Sequence, residues 1–289
     1  EITRIANDLI DAVIGKGEMD LVEDYSYPLP ITVISRMLGI ADEDRQLLVD
    51  TTVAIVNGFD VNATGEKRDH ANRVCQAFTE MVTRYVDARR AEPQDDLLTV
   101  LVQAEEAGDR MSRDELVSMV FTIAGAGHET TANVLSTLVN TLLRDRTLWE
   151  RLLADRSLVP AAVEEGLRTQ PPIRIRDGRW CDRDVELDGV KIAAGEPVSV
   201  WLGAANRDET VFEDPDTFRL DRKSNRHLAF STGPYVCVGA GLARLELRVA
   251  LNALLTRLPD LELANAEEKW GSLVSFRGLV TLPVKWKVN

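Results

Sequence analysis

The chain is expected to fold as a mainly α protein with a small β-sheet region. Three observations predict this. Apolar residues recur at helical spacing through nearly all of residues 1–172. After Pro171-Pro172 the texture turns to short alternating runs broken by Gly, Asp and Asn. Within that second part, one longer segment from about Ala240 to Leu258 returns to helical spacing. With 289 residues, 45% hydrophobic and 28% charged, the chain carries enough apolar material for a sizeable core. A single domain over 1–289 is expected, helical over 1–172 and β-containing over 173–289.

The elements follow in chain order. Ile5, Leu9, Ile10 and Val13 give an amphipathic first helix that Gly15 and Gly17 end. Pro28-Leu29-Pro30 starts a short helix to Leu38, since proline is tolerated in a first turn. A third helix runs from about Asp42 to Val56 and stops at Asn57-Gly58. A long helix spans about Gly65 to Arg90, and another runs from Asp95 to Ala107, ended by Gly108. Ser112-Arg113-Asp114-Glu115 has the capping-box pattern. It opens the longest helix, about 113–143, which is apolar on more than one face and so expected to be buried along most of its length. A helix over about Pro160–Thr169 must end before Pro171-Pro172. Asp184–Leu187 and Val190–Ile192 flank Asp188-Gly189, a hairpin with a type I′ turn, and Pro197–Trp201 is a further strand. Residues 203–226, rich in Asn, Asp and Pro, read as irregular chain, and Leu279 to Val288 has a strand-like alternation.

Composition removes several function classes. The formal net charge of -13 argues against nonspecific nucleic-acid binding, which needs clustered Lys and Arg, and against an anionic membrane surface. No apolar run is long enough to span a bilayer. The three cysteines, Cys75, Cys181 and Cys237, are odd in number and widely spaced, so neither a disulfide framework nor a CxxC zinc site is indicated. A reducing compartment, the cytoplasm, is the simpler inference.

Three motifs carry chemistry. Cys237 stands in a glycine-bearing loop, Phe230 to Gly239, that feeds a helix N-terminus. Backbone N–H groups and the helix dipole favour a thiolate there, a soft anionic metal ligand; the alternative is a small buried apolar cysteine. Glu165 and Arg168 are one helical turn apart and share a face, as either a surface pair or a buried one. Ala126-Gly127-His128-Glu129-Thr130-Thr131 lies mid-way along the longest helix. Gly125 and Gly127 each cost roughly 1 kcal/mol against alanine there, which points to a packing or functional reason. Thr130 bonded back to its own helix beside a solvated Glu129 is the alternative. His128 projects about 100° from each neighbour and is read as structural or solvent-facing.

Taken in order, these motifs closely resemble those of the cytochrome P450 family of haem-thiolate monooxygenases, especially its soluble bacterial members. Gly203-Ala204-Ala205-Asn206-Arg207-Asp208, His227-Leu228-Ala229-Phe230 and Leu242-Ala243-Arg244-Leu245-Glu246 look like the family as well. The resemblance covers essentially the whole chain but starts late. The family's N-terminal helices, first strands and the loop over the substrate pocket have no counterpart, so an N-terminally incomplete form of that fold is expected, either a piece of a longer chain or a natural truncation.

The resemblance implies the following roles. Cys237 binds the iron of heme b as the axial thiolate. Phe230 shields the sulfur, and Gly233 and Gly239 let the backbone turn and approach the porphyrin. Arg179 and Tyr235 hold propionates. Ala126 and Gly127 leave room for a diatomic ligand in a locally distorted helix, and Glu129 and Thr130 relay protons. Glu165 and Arg168 form a buried structural pair, and Trp180 and Ile175 either border the substrate pocket or fill core. Two positions depart from the pattern: Tyr235 stands where His or Arg is usual, and Ser231 where glycine is common. The implied activity inserts one oxygen atom of O2 into a small hydrophobic organic substrate, by hydroxylation or epoxidation in secondary metabolism. Electrons come from NAD(P)H through a reductase and a ferredoxin or flavodoxin-type donor, with Arg222, Lys223, Arg226 and Arg244 as candidate docking contacts. A monomer is expected. Two alternatives stay open: a haem-poor homologue that binds or activates another enzyme, and a peroxide-driven haem enzyme.

Overall fold

Helical spacing in the first half is realised almost as the sequence spells it. The computed structural model describes residues 1–58, 65–106, 112–265, 267–272 and 275–288. The chain forms two compact units, one of Glu1–Val13 with Glu23–Ala132 and one of Ile14–Val22 with Asn133–Asn289.

In the first unit, α1 (Ile2–Asp11) buries Ile5, Ala6 and Ile10 along one stripe. Helix α2 (Pro28–Met37) carries proline in its first turn, and the chain leaves it through Gly39 at φ 65°. Helices α3 (Arg45–Gly58), α4 (Gly65–Ala91) and α5 (Leu97–Glu106) follow. The expected stop at Gly108 lies outside the described residues. Helix α6 (Arg113–Arg144) opens on the capping box: Ser112 N–H donates to Glu115 Oε2 at 2.7 Å, and Glu115 N–H to Ser112 Oγ at 3.3 Å. The core of this unit joins Phe78, Met81, Val82 and Val86 of α4 to Leu98 and Val102 of α5 and to Leu116, Val120 and Ala124 of α6. Phe78 and Phe121 meet edge to face, 5.4 Å between ring centroids.

In the second unit, β1 (Glu18–Asp20) pairs antiparallel with β9 (Pro283–Lys285), Met19 opposite Val284, and β9 also pairs with β6 (Glu262–Leu263). Helix α7 (Arg146–Ala154), capped by Asp145, escaped the sequence reading because its buried stripe is only Leu148, Trp149 and Leu152, too short to register as a period. Helix α8 (Val159–Thr169) passes close to α6 at Gly166, where a Cβ would stand 2.9 Å from Leu138 Cδ1. Strands β2 (Arg176–Trp180) and β5 (Pro197–Val200) pair across an irregular register. The hairpin of β3 (Val185–Leu187) and β4 (Val190–Ile192) turns through Asp188 and Gly189 at φ 49° and 81°, the positive values that a type I′ turn requires. Past the short α9 (Leu202–Ala205), the Asn- and Asp-rich stretch is irregular, as expected. Helix α10 (Ala240–Arg257) packs against α8, and β7 (Lys269–Trp270) pairs with β8 (Leu279–Thr281). The dipeptide-long β6 and β7 carry no sequence signal of their own.

Candidate functional site

The Cys237 loop is shaped by two left-handed residues. Ser231 and Gly233 both sit at φ 63°. Glycine adopts this readily, whereas serine pays a steric cost of roughly 1–2 kcal/mol. The double turn brings Cys237 N–H to the carbonyl of Phe230 at 3.0 Å, and Cys237 C=O accepts from Ala240 N–H at 3.2 Å as α10 begins. The thiol is exposed. A Cβ on Gly239 would lie 3.8 Å from the sulfur, and nothing stands within 4 Å of one on Gly233. Around the thiol, Tyr235 is 71% exposed, Val236 54% and Val238 101%. Arg179 on β2 lies 5.7 Å from the centroid of the Tyr235 ring. Among the described residues no carboxylate pairs with Arg179. An exposed thiol at a helix start, open apolar surface beside it and a cation without a protein anion form a donor set that suits a flat apolar macrocycle bearing carboxylates. Phe230, Gly233, Tyr235, Cys237, Gly239 and Arg179 are thus brought together. Trp180 is exposed and Ile175 half-buried, so neither is core.

Glu165 and Arg168 are both fully buried and joined twice, Nε to Oε2 at 2.9 Å and Nη2 to Oε1 at 2.7 Å. Arg168 also donates to the carbonyls of Asn206 at 2.9 Å and Pro215 at 2.7 Å. Glu165 accepts further from Arg222 Nε at 2.8 Å, Asn225 Nδ2 at 3.0 Å and Arg219 N–H at 3.0 Å. Burial alone would raise the Glu165 carboxyl, but these donors outweigh it and hold it below its ordinary value. Arg222 is therefore committed to Glu165 and is no docking contact, which corrects the sequence expectation.

One residue earlier, Glu164 makes a second network that the sequence reading missed. Burial raises its carboxyl, yet His227 and Arg244 bring it down to about 2. Nothing in the local pattern marks Glu164, because its partners lie 63 and 80 residues away.

In the first unit, Ala126, Gly127, Glu129 and Thr130 share the middle of α6. The helix runs through them without the expected distortion. Thr130 Oγ1 donates to Ala126 C=O at 2.8 Å, so the hydroxyl is bonded back to its own helix. A Cβ on Gly127 would meet Ile34 Cδ1 at 3.5 Å, an ordinary contact. His128 is fully buried, so its solvent-facing alternative falls. Its ring meets Tyr27 edge on at 5.1 Å, and burial pulls its pKa down to about 4, which the nearby Tyr27 backbone offsets only in part. Tyr27, also missed, hydrogen-bonds with Glu129; burial, then that carboxylate, pushes its phenol pKa upward.

The family description "Cytochrome P450" matches residues 1–289. Cytochrome P450 107B1 of Saccharopolyspora erythraea is 42% identical over 98% of this chain and 69% of its own length. A steroid C26-monooxygenase of Mycolicibacterium smegmatis is 42% identical over 91% of this chain and 66% of its own. The crystal structure of P450BioI in complex with acyl carrier protein ligated by hexadec-9Z-enoic acid superposes with a TM-score of 0.94 at 35% identity. That match covers 99% of this chain and 73% of the other.

Proposed function

The chain belongs to the cytochrome P450 family of monooxygenases, and on that premise we propose that it inserts one oxygen atom of O2 into a small hydrophobic organic molecule of secondary metabolism. The observation that carries this reading is the exposed Cys237 thiol at the start of α10, with Arg179 and Tyr235 beside it. The family implies haem held through a cysteine thiolate. When bound, haem supplies the iron at which O2 is reduced; the push of a thiolate favours O–O cleavage.

The protein's own residues have distinct tasks in this reading. Cys237 provides the thiolate, and the Phe230 turn fixes its backbone. Arg179 and the Tyr235 hydroxyl bind carboxylates, the first by charge and the second by one hydrogen bond. Gly239 leaves the space next to the sulfur without a side chain, and Gly233 makes the left-handed turn ahead of it. Glu129 and Thr130 hand protons inward from water, with Tyr27 holding the carboxylate. That task requires Thr130 Oγ to leave the Ala126 carbonyl, a rotation about one side-chain bond. Glu165 and Arg168 tie α8 to the irregular stretch ahead of the ligand loop. Electrons arrive from NAD(P)H through a reductase and a ferredoxin or flavodoxin-type carrier, and the protein acts as a cytoplasmic monomer. Among the described residues no helix is long and apolar enough to cross a membrane. The P450BioI complex supports acyl chains on a carrier protein as one substrate class to test, and the steroid relative supports free polycyclic lipids as another.

Reduced protein under carbon monoxide is expected to show the Soret band of a thiolate-ligated ferrous haem, and Cys237→Ser to lose it. Thr130→Ala is expected to consume NAD(P)H with the bound substrate but divert most electrons to hydrogen peroxide, roughly tenfold less product per electron pair. A parent protein without haem, or a Thr130→Ala variant coupled as well as the parent, sinks the respective half of the reading.

A further inference from the structure

Arg244 lies seven residues past Cys237 and about one turn into α10. Its Nε donates to Glu164 Oε1 at 2.7 Å and its Nη2 to Oε2 at 2.9 Å, a bidentate fork that removes its freedom to swing into solvent. The same guanidinium rests 4.5 Å above the centroid of the Phe230 ring, and Phe230 is the residue whose carbonyl holds Cys237 N–H. On the other side of the carboxylate, His227 Nδ1 accepts from Ala229 N–H at 3.2 Å, which leaves Nε2 to carry the proton facing Glu164 Oε2 at 3.1 Å. Glu164 on α8 therefore grips the loop through His227 and α10 through Arg244. Through the Phe230 ring the guanidinium stands against the residue whose carbonyl holds Cys237 N–H, which places its charge at the ligand loop.

We infer that Arg244, locked in place by Glu164, is a positioning residue that keeps a fixed positive charge beside the Cys237 ligand and so sets the electron-donating strength of its sulfur. The inference rests on the reading of Cys237 as the iron ligand. Reduction of the iron adds one negative charge to the iron–sulfur unit. A nearby cation favours the reduced state and a nearby anion opposes it. Removing either partner of the clamp thus moves the ferric/ferrous midpoint in opposite directions, whereas a merely structural pair moves it in one direction or not at all.

The test uses the full chain loaded with haem. The ferric/ferrous midpoint is measured together with the Fe–S stretching frequency by resonance Raman. Arg244→Gln is expected to lower the midpoint by up to a roughly tenfold change in the reduction equilibrium, about 59 mV for one electron. Glu164→Gln is expected to raise it, and Arg244→Lys to stay nearer the parent than Arg244→Gln. Should Arg244→Gln fail to take up haem, the sign for Glu164→Gln decides alone. Unchanged midpoints, or both Gln variants shifting the same way, overturn the inference while leaving the haem-thiolate reading intact. A parent whose reduced carbon monoxide complex lacks the thiolate-type band overturns both.

Discussion

Glu246 is a carboxyl placed where a charge is costly. It is 2% exposed on α10, its Oε2 has no hydrogen-bond partner among the described residues, and burial pushes its pKa from 4.5 up to about 8. The folded chain thus holds a proton that the unfolded chain has already released above pH 4.5. This group leaves stability unaffected below pH 4.5, erodes it as pH rises toward 8 and exerts its full cost above that. Glu246→Gln keeps the shape without the charge. Its unfolding free energy is expected to exceed the parent's at pH 8.5 by an amount on the order of a few kcal/mol, and to match it at pH 4.5. Parallel melting curves across that range would contradict the assignment. His128 acts with the opposite sign: kept neutral by burial, it costs stability as pH falls from 6.5 toward about 4.

At the scale of elements, the junction after α2 shows how one backbone position can gate three helices. Gly39 turns at φ 65°, and its carbonyl accepts from Arg89 Nη2 at 2.8 Å. Arg89, from α4, is paired at 2.6 Å with Asp96 at the start of α5, and both side chains are nearly inaccessible. A Cβ on Gly39 would collide with Asp96 Oδ2 and Arg89 Nη2. Gly39→Ala therefore combines left-handed strain with rupture of a buried ion pair, a loss of roughly 3–5 kcal/mol. A fall in melting temperature of only a degree or two would show that the pair can re-form around the methyl group. The sequence reading ended that helix at Leu38 and did not single out Gly39. The reason for glycine there lies in Arg89, fifty residues on.

At the scale of the whole molecule, Glu165 organises the second unit. Its carboxylate faces two buried guanidinium groups, Arg168 and Arg222, together with Asn225 and the Arg219 N–H. Taking away its charge leaves two cations in mutual repulsion with no counterion and frees the irregular stretch that leads to the ligand loop. Glu165→Gln is expected to lose at least ~3 kcal/mol of unfolding free energy in urea. A variant within 1 kcal/mol of the parent would mean that water replaces the carboxylate and that the network is dispensable.

Much of this was legible beforehand. The chain order of the three motifs identified the family, and periodicity placed α1 to α6, α8 and α10, because apolar spacing and caps act within a few residues of themselves. The Asp188-Gly189 turn was equally local. What the sequence left undetermined depends on long separation: the partners of Glu164 and Glu165, the embedding of His128, and the commitment of Arg222 to Glu165 rather than to solvent. Spacing gives the face on which a side chain stands. Only the folded chain decides what stands opposite, because burial and charge pairing are settled by segments that meet in space after being far apart along the backbone.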